Sequence, residues 1–153
     1  MAEESKKSVF QADKLSLVDF KIIKGKIDVD FEFNVKTIKN FETHMTFDVT
    51  FDAENKSLKA DMSFMIVTNS DGQADKEAQA KFKFVYIYEL ENFDDLIEFK
   101  KGKISNINEL LIPSVAAISF STSRGILMTR LQGTAMKDYI LPIINPDELL
   151  KDE

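Results

Sequence analysis

One stretch of this chain, Ile107 to Leu150, is long and periodic enough to supply a major helix, and it constrains everything before it. Leu111, Val115 and Ile118 recur at three- and four-residue intervals, and Phe120, Leu127 and Leu131 continue the apolar stripes. Asn106 with Glu109 predicts a capping-box start, and Gly133 just after Arg130 predicts a stop. Pro113 has no N–H and its ring clashes with an earlier carbonyl, so the helix either kinks there or begins there. The middle is built from small residues: Ser114, Ala116, Ala117, Ser119, Ser121, Thr122, Ser123 and Gly125. Such a run lets another backbone approach closely. It predicts a helix packed on two sides, against its own sheet and against a second subunit, with Ala116, Ala117, Ser121 and Gly125 at the subunit interface.

Upstream of this helix the hydrophobic period changes to two. Leu15 to Ile23 is strand-like and runs to Gly25. Ile27 to Val35 alternates, with Val29, Phe31, Phe33 and Val35 on one face and Asp28, Asp30, Glu32 and Asn34 on the other, which predicts a half-buried strand. Met45, Phe47, Val49 and Phe51 repeat the pattern. Turns are expected at 52–56 and at Asn69-Ser70-Asp71-Gly72. Ala60, Met62, Phe64 and Ile66 share a face, yet Met65 and Val67 opposite them are apolar too. Phe82, Phe84, Tyr86 and Tyr88 likewise leave Val85 and Ile87 on the other side. A sheet covered by one helix layer does not need a second apolar face, so another subunit or a ligand is expected to cover it. A helical turn is expected within 94–99 and a solvated loop at 100–103. Strands first and helices last give an α+β domain: a four-stranded antiparallel sheet followed by a long kinked helix and a short C-terminal helix. A single domain over 1–153 is expected, with residues 1–8 frayed.

Charge and composition exclude several classes of function. The net charge of −6 argues against nucleic acid and anionic membranes, because phosphate binding needs a basic face. No cysteine means no disulfide framework, thiolate zinc site or cysteine nucleophile, which fits a reducing cytoplasm. The N-terminal residues MAEESKKSVF have no apolar core of a signal peptide, and no run of apolar residues spans a bilayer. Catalysis has little material. His44 is the only histidine and falls on the polar face of a strand. No nucleophile elbow, phosphate-binding loop or dinucleotide fingerprint is present. The pairs Asp28/Asp30, Asp94/Asp95 and Asp147/Glu148 read as a solvated strand face and two helix starts rather than metal ligands. No enzyme activity, metal or cofactor is expected.

Binding has more to work with. Tyr139 to Ile144 is too apolar for a free loop, and Pro142 keeps it out of a central strand or a helix interior. It serves either as core or as the wall of a partner groove. The methionine on the second face, Met65, would adapt to different partner shapes.

AISFSTSRGIL (117–127), followed by YILPIINPDELL (139–150), resembles the C-terminal half of the protein-export chaperone SecB and its SecB-like relatives. Ser123-Arg124-Gly125 and Leu141-Pro142-Ile143-Ile144-Asn145 stand where that family has a Ser-Arg-Gly element and a proline-containing apolar exit. FQADKLSLVDF (10–20) is similar to the family's opening strand. The resemblance implies a cytoplasmic, ATP-independent holdase for preproteins, assembled as a dimer of dimers, with apolar grooves for extended non-native clients. Phe31, Phe33, Met65, Val67, Val85, Ile87, Tyr139, Ile140, Leu141, Ile143 and Ile144 are the client-binding candidates. It also implies hand-over to the SecA motor through an acidic sheet face and a C-terminal tail. Asp19 matches one acidic position; Ile23 stands at the second, and the chain ends at Lys151-Asp152-Glu153 almost without a tail. Both departures point toward clients that are not exported, such as an antitoxin. A reading of another class is a carrier for a small apolar ligand, held between the sheet and the helix.

Overall fold

Strict alternation in the middle of the chain folds as three long adjacent strands. The computed structural model describes residues 9–72 and 76–150; the expected fraying of residues 1–8 and the final Lys151 to Glu153 lie outside them. Strand β1 (Leu15–Asp28), β2 (Ile38–Asp52), β3 (Ser57–Ser70) and β4 (Gln79–Leu90) form one antiparallel sheet in the order β1-β4-β3-β2. A helical turn α1 (Phe93–Leu96), a hairpin of β5 (Ile97–Lys100) and β6 (Lys103–Ile107), the long helix α2 (Leu111–Arg130) and the short α3 (Pro146–Leu149) follow. The α+β architecture and the four-stranded antiparallel sheet are those the sequence pattern predicts.

Ile27–Val35 is a correction. It alternates like a strand, but β1 ends at Asp28, and the chain turns with Phe33 N–H donating to Asp30 O at 2.9 Å. Asn34 then caps a short 3-10 turn: its Oδ1 accepts from Lys36 N at 3.0 Å, while Thr37 Oγ donates to Asn34 O at 2.7 Å. Local side-chain bonding of this kind competes with a strand ladder, and here it prevails. The start of α2 is another. Asn106 lies in β6, so the capping box does not form; Asn108 Oδ1 accepts from Leu110 N at 3.0 Å instead. The first helical bond runs from Ser114 N to Leu110 O at 3.1 Å, so Pro113 sits in the opening turn, where its missing N–H is not needed. Gly133 adopts φ +78° just beyond the helix end, as expected of a stop signal. Residues 100–103 turn the β5–β6 hairpin rather than leading directly into the helix.

The core lies between α2 and one face of the sheet. Leu58, Ala60, Met62, Phe64 and Ile66 of β3 and Ala80, Phe82, Phe84, Tyr86, Tyr88 and Leu90 of β4 are buried there. Two hydroxyl pairs fix the layer: Tyr86 Oη to Ser123 Oγ at 2.6 Å and Tyr88 Oη to Ser119 Oγ at 2.7 Å. Ser119 and Ser123 are therefore small because tyrosine rings of the same chain stand against them. By length and composition α2 could cross a membrane, but it packs here as the core helix, with Leu111, Val115, Phe120 and Leu127 turned into the sheet.

Burial pushes the Tyr86 phenol from 10.0 up to about 12, with the Ser123 hydroxyl pulling it down by less, and Tyr88 rises for the same reason. A proton held more tightly in the folded than in the unfolded state stabilises the fold below pH 10, and this is lost between pH 10 and about 12. For Tyr86 alone the loss is on the order of 3 kcal/mol. Alkaline titration is expected to show cooperative unfolding above pH 10 that coincides with tyrosinate absorbance; Tyr86→Phe should move the midpoint upward.

Candidate functional site: a groove at the free edge of β2

The C-terminal segment is extended because Pro142 and the residues around it bar a helix, and its side chains divide between core and solvent. Tyr139 and Leu141 are buried, at 4% and 1% exposure, whereas Ile140 and Ile143 stand out at 59% and 88%. Tyr139 packs edge-on against Phe41 of β2, with ring centres 5.3 Å apart, and its hydroxyl pairs with Thr43 Oγ at 2.6 Å. Burial raises its phenol above the ordinary value, the Thr43 bond partly offsetting this. Arg124 holds the segment from the other side. Its Nε donates to Leu141 O at 2.8 Å and its Nη2 to Pro142 O at 3.2 Å, while its guanidinium lies 5.2 Å from the Phe120 ring centre. Asn145 Oδ1 then caps α3 by accepting from Asp147 N at 3.1 Å.

This bracing leaves an open groove. A cavity of about 450 Å³ is lined by Thr43, His44, Met45, Thr46 and Phe47 of β2 and by Ile144, Glu148, Leu149 and Leu150. A smaller one of about 180 Å³ lies on the other side of Ile144 and Leu149, among Ala117, Phe120, Ser121, Arg124 and Ile143. β2 is an edge strand that pairs only with β3, and among the described residues no backbone hydrogen bond joins it to the C-terminal segment. The groove floor thus combines unpaired main-chain donors and acceptors with Met45 and Phe47, an arrangement suited to a further strand.

The candidate residues are spread over several surfaces. Ile144 lines the large cavity; Ile143 and Ile144 line the small one together with Ala117 and Ser121, two of the expected interface positions. Tyr139 and Leu141 support the wall from inside. Ala116 is fully buried within its own chain, so it belongs to the core and not to a subunit surface; Gly125 is exposed on the outer side of α2. Phe33 is partly buried against the core, and Phe31 stands fully exposed at the β1–β2 corner. Met65, Val67, Val85 and Ile87 do share the outer sheet face, but not as one patch: Ser63 opposite Lys83 separates the two pairs. Val85 is nearly buried, at 8% exposure. Asp19 lies exposed on that face, 3.9 Å from Lys21.

The sequence pattern does not single out Thr43 to Phe47, Glu148, Leu149 or Leu150 as site residues. Alternation marks Met45 and Phe47 as strand residues, but not that β2 lies at a sheet edge. His44 is exposed at the groove rim, and among the described residues no three His, Cys, Asp or Glu side chains converge on a metal site.

No family's sequence profile matches this chain, and no curated protein is similar to it in sequence. Among solved structures, a protein of unknown function from Streptococcus agalactiae aligns over 84% of this chain and 97% of its own at 14% identity, with a TM-score of only 0.30. The Mycobacterium tuberculosis Rv1957 SecB-like chaperone, solved in complex with a ChAD peptide from the Rv1956 HigA1 antitoxin, is similar over 87% of this chain and 92% of its own, with a TM-score of 0.59 and 13% identity. The chain has the fold of a SecB-like chaperone.

Proposed function

We propose that this protein is an ATP-independent holdase that binds non-native polypeptide in extended form along the free edge of β2. The observation that carries this reading is the groove itself: unpaired main chain, apolar Met45, Phe47, Ile144 and Leu149, and exposed Ile140 and Ile143 on the segment that forms its wall. A client strand would bond to the β2 edge while its alternate side chains enter the apolar floor. Exposed isoleucines beside the groove would add weak contacts along the same client. The peptide-bound state of the M. tuberculosis structure supports a polypeptide as ligand and favours a dedicated, non-exported client of the antitoxin kind over preproteins. Phe31 would extend the apolar path toward the β1–β2 corner. The resemblance further implies a cytoplasmic dimer of dimers, for which Ala117, Ser121 and Gly125 offer a close-approach surface on α2.

The carrier reading is weaker, because the layer between sheet and helix is filled by Tyr86, Tyr88, Phe84 and Met62. No enzymatic step is part of the proposal. The test is aggregation of a chemically denatured client without nucleotide. A stoichiometric excess of the protein should suppress light scattering; Ile140→Asp/Ile143→Asp should lose at least about tenfold in potency with an unchanged melting temperature, since both side chains are solvent-facing. Undiminished aggregation with the wild-type protein would end the holdase reading.

A further inference from the structure

The outer face of the sheet carries a charge arrangement that the groove does not use. In the pairing of β1 with β4, register shifts between Leu17 and Asp19 and between Ile22 and Lys24 leave Val18 and Ile23 without cross-strand partners. The second shift decides where charge falls. Lys24 stands opposite Lys83 and Lys26 opposite Lys81, all on the face away from α2, while the intervening Phe82 and Phe84 are buried in the core. Unbroken alternation would have turned Lys24 inward, opposite Phe82. Lys21, opposite Val85, adds a further positive charge.

Like charges directly opposite one another destabilise a sheet, and the chain as a whole is acidic at −6, so this basic block is not a by-product of composition. Lys26 reaches Asp28 at 3.3 Å and Lys21 reaches Asp19 at 3.9 Å; among the described residues Lys24, Lys81 and Lys83 have no carboxylate within ion-pair distance. The two apolar pairs flank the block, Met65 and Val67 beside Lys81 and Gln79 at one end, Val85 and Ile87 beyond Lys83 at the other.

We infer that this face docks an acidic segment of a partner protein, with carboxylates over the lysine block and apolar side chains over the flanking pairs. Charge complementarity selects the partner's sign, and the flanking apolar residues select a protein over a polyanion. Asp19, Asp28 and Asp61 interrupt the positive field around the block, which repels a continuous phosphate track or headgroup layer but not a surface of mixed charge. No aromatic side chain lies on the outer positions of β3 and β4 to stack a base. The β1–β4 side of this face is thus basic where the SecB resemblance implies an acidic one, while Glu42 and Asp48 lie on its β2 side.

The test is fluorescence anisotropy of a labelled peptide of alternating leucine and glutamate, with wild-type protein and Lys24→Glu/Lys83→Glu. The wild type should bind it, more weakly as salt rises, and the double variant should lose at least about tenfold in affinity while suppressing aggregation as well as wild type. Because the double variant exchanges one exposed like-charge pair for another, it should melt close to wild type. Should it fail to fold, Lys83→Gln alone supplies the same comparison. Equal binding by variant and wild type, no binding by wild type, or tighter binding of oligouridylate or phosphatidylserine vesicles than of the peptide would each overturn the inference.

Discussion

Replacing Arg124 by alanine is expected to cost the fold about 2–3 kcal/mol and to abolish client holding together with it. The guanidinium is the one group on α2 that donates to the C-terminal segment at two successive carbonyls, Leu141 O and Pro142 O, and it also covers the Phe120 ring. Alanine removes both charge-assisted bonds and leaves the segment held by the burial of Tyr139 and Leu141, the packing of Ile144 and Leu149 on the core and the Thr43 hydroxyl. Since Ile144, Leu149 and Leu150 form one wall of the groove, its shape should be lost before the sheet itself unfolds. Melting should fall by roughly 5–10 °C, and limited proteolysis should cut after Lys137 in the variant but not in the wild type. Arg124→Lys should restore little, because an ammonium cannot span two carbonyls or stack flat on a ring. An unchanged melting temperature with intact holding would show that the segment is fixed by its apolar residues alone.

The sequence made some of this legible and hid the rest for identifiable reasons. Half-buried alternation reads true where nothing competes with it, as in Met45 to Phe51, Leu58 to Ile66 and Phe82 to Tyr88. It misleads at Ile27 to Val35, where Asn34 and the Asp30 carbonyl form a turn that alternation cannot register. Val18 and Ile23 look like ordinary strand residues, and only the pairing of β1 with β4 shows that they are extra. β5 and β6 are too short to stand out from the charged residues around them. Of the small residues of α2, Ser119 and Ser123 stand against the chain's own tyrosines, and only burial separates them from the outward Ser121 and Gly125. Arg124 is visible within Ser-Arg-Gly, yet its work depends on carbonyls 17 and 18 positions away. Strand order is likewise non-local. That β2 would lie at the edge, and so bound a groove, follows from how four strands pair and not from any one of them.

The same topology gives the second large effect, a change in hydrogen exchange confined to one strand. The sheet has two edges, and they are not equivalent. β1 is broken by two register shifts and lined with lysines, both of which discourage a further strand. β2 is in continuous register from Asn40 to Asp52 and has an apolar wall beside Thr43 to Phe47. Every second amide along this stretch points away from β3 and exchanges with solvent in the free protein. The most direct measurement is therefore amide exchange with and without a saturating, permanently unfolded client. Slowing of alternate amides between Glu42 and Asp48 by at least about tenfold, with β1 unaffected, is the predicted result. Protection along β1, or none on β2 while the client is bound, would contradict it.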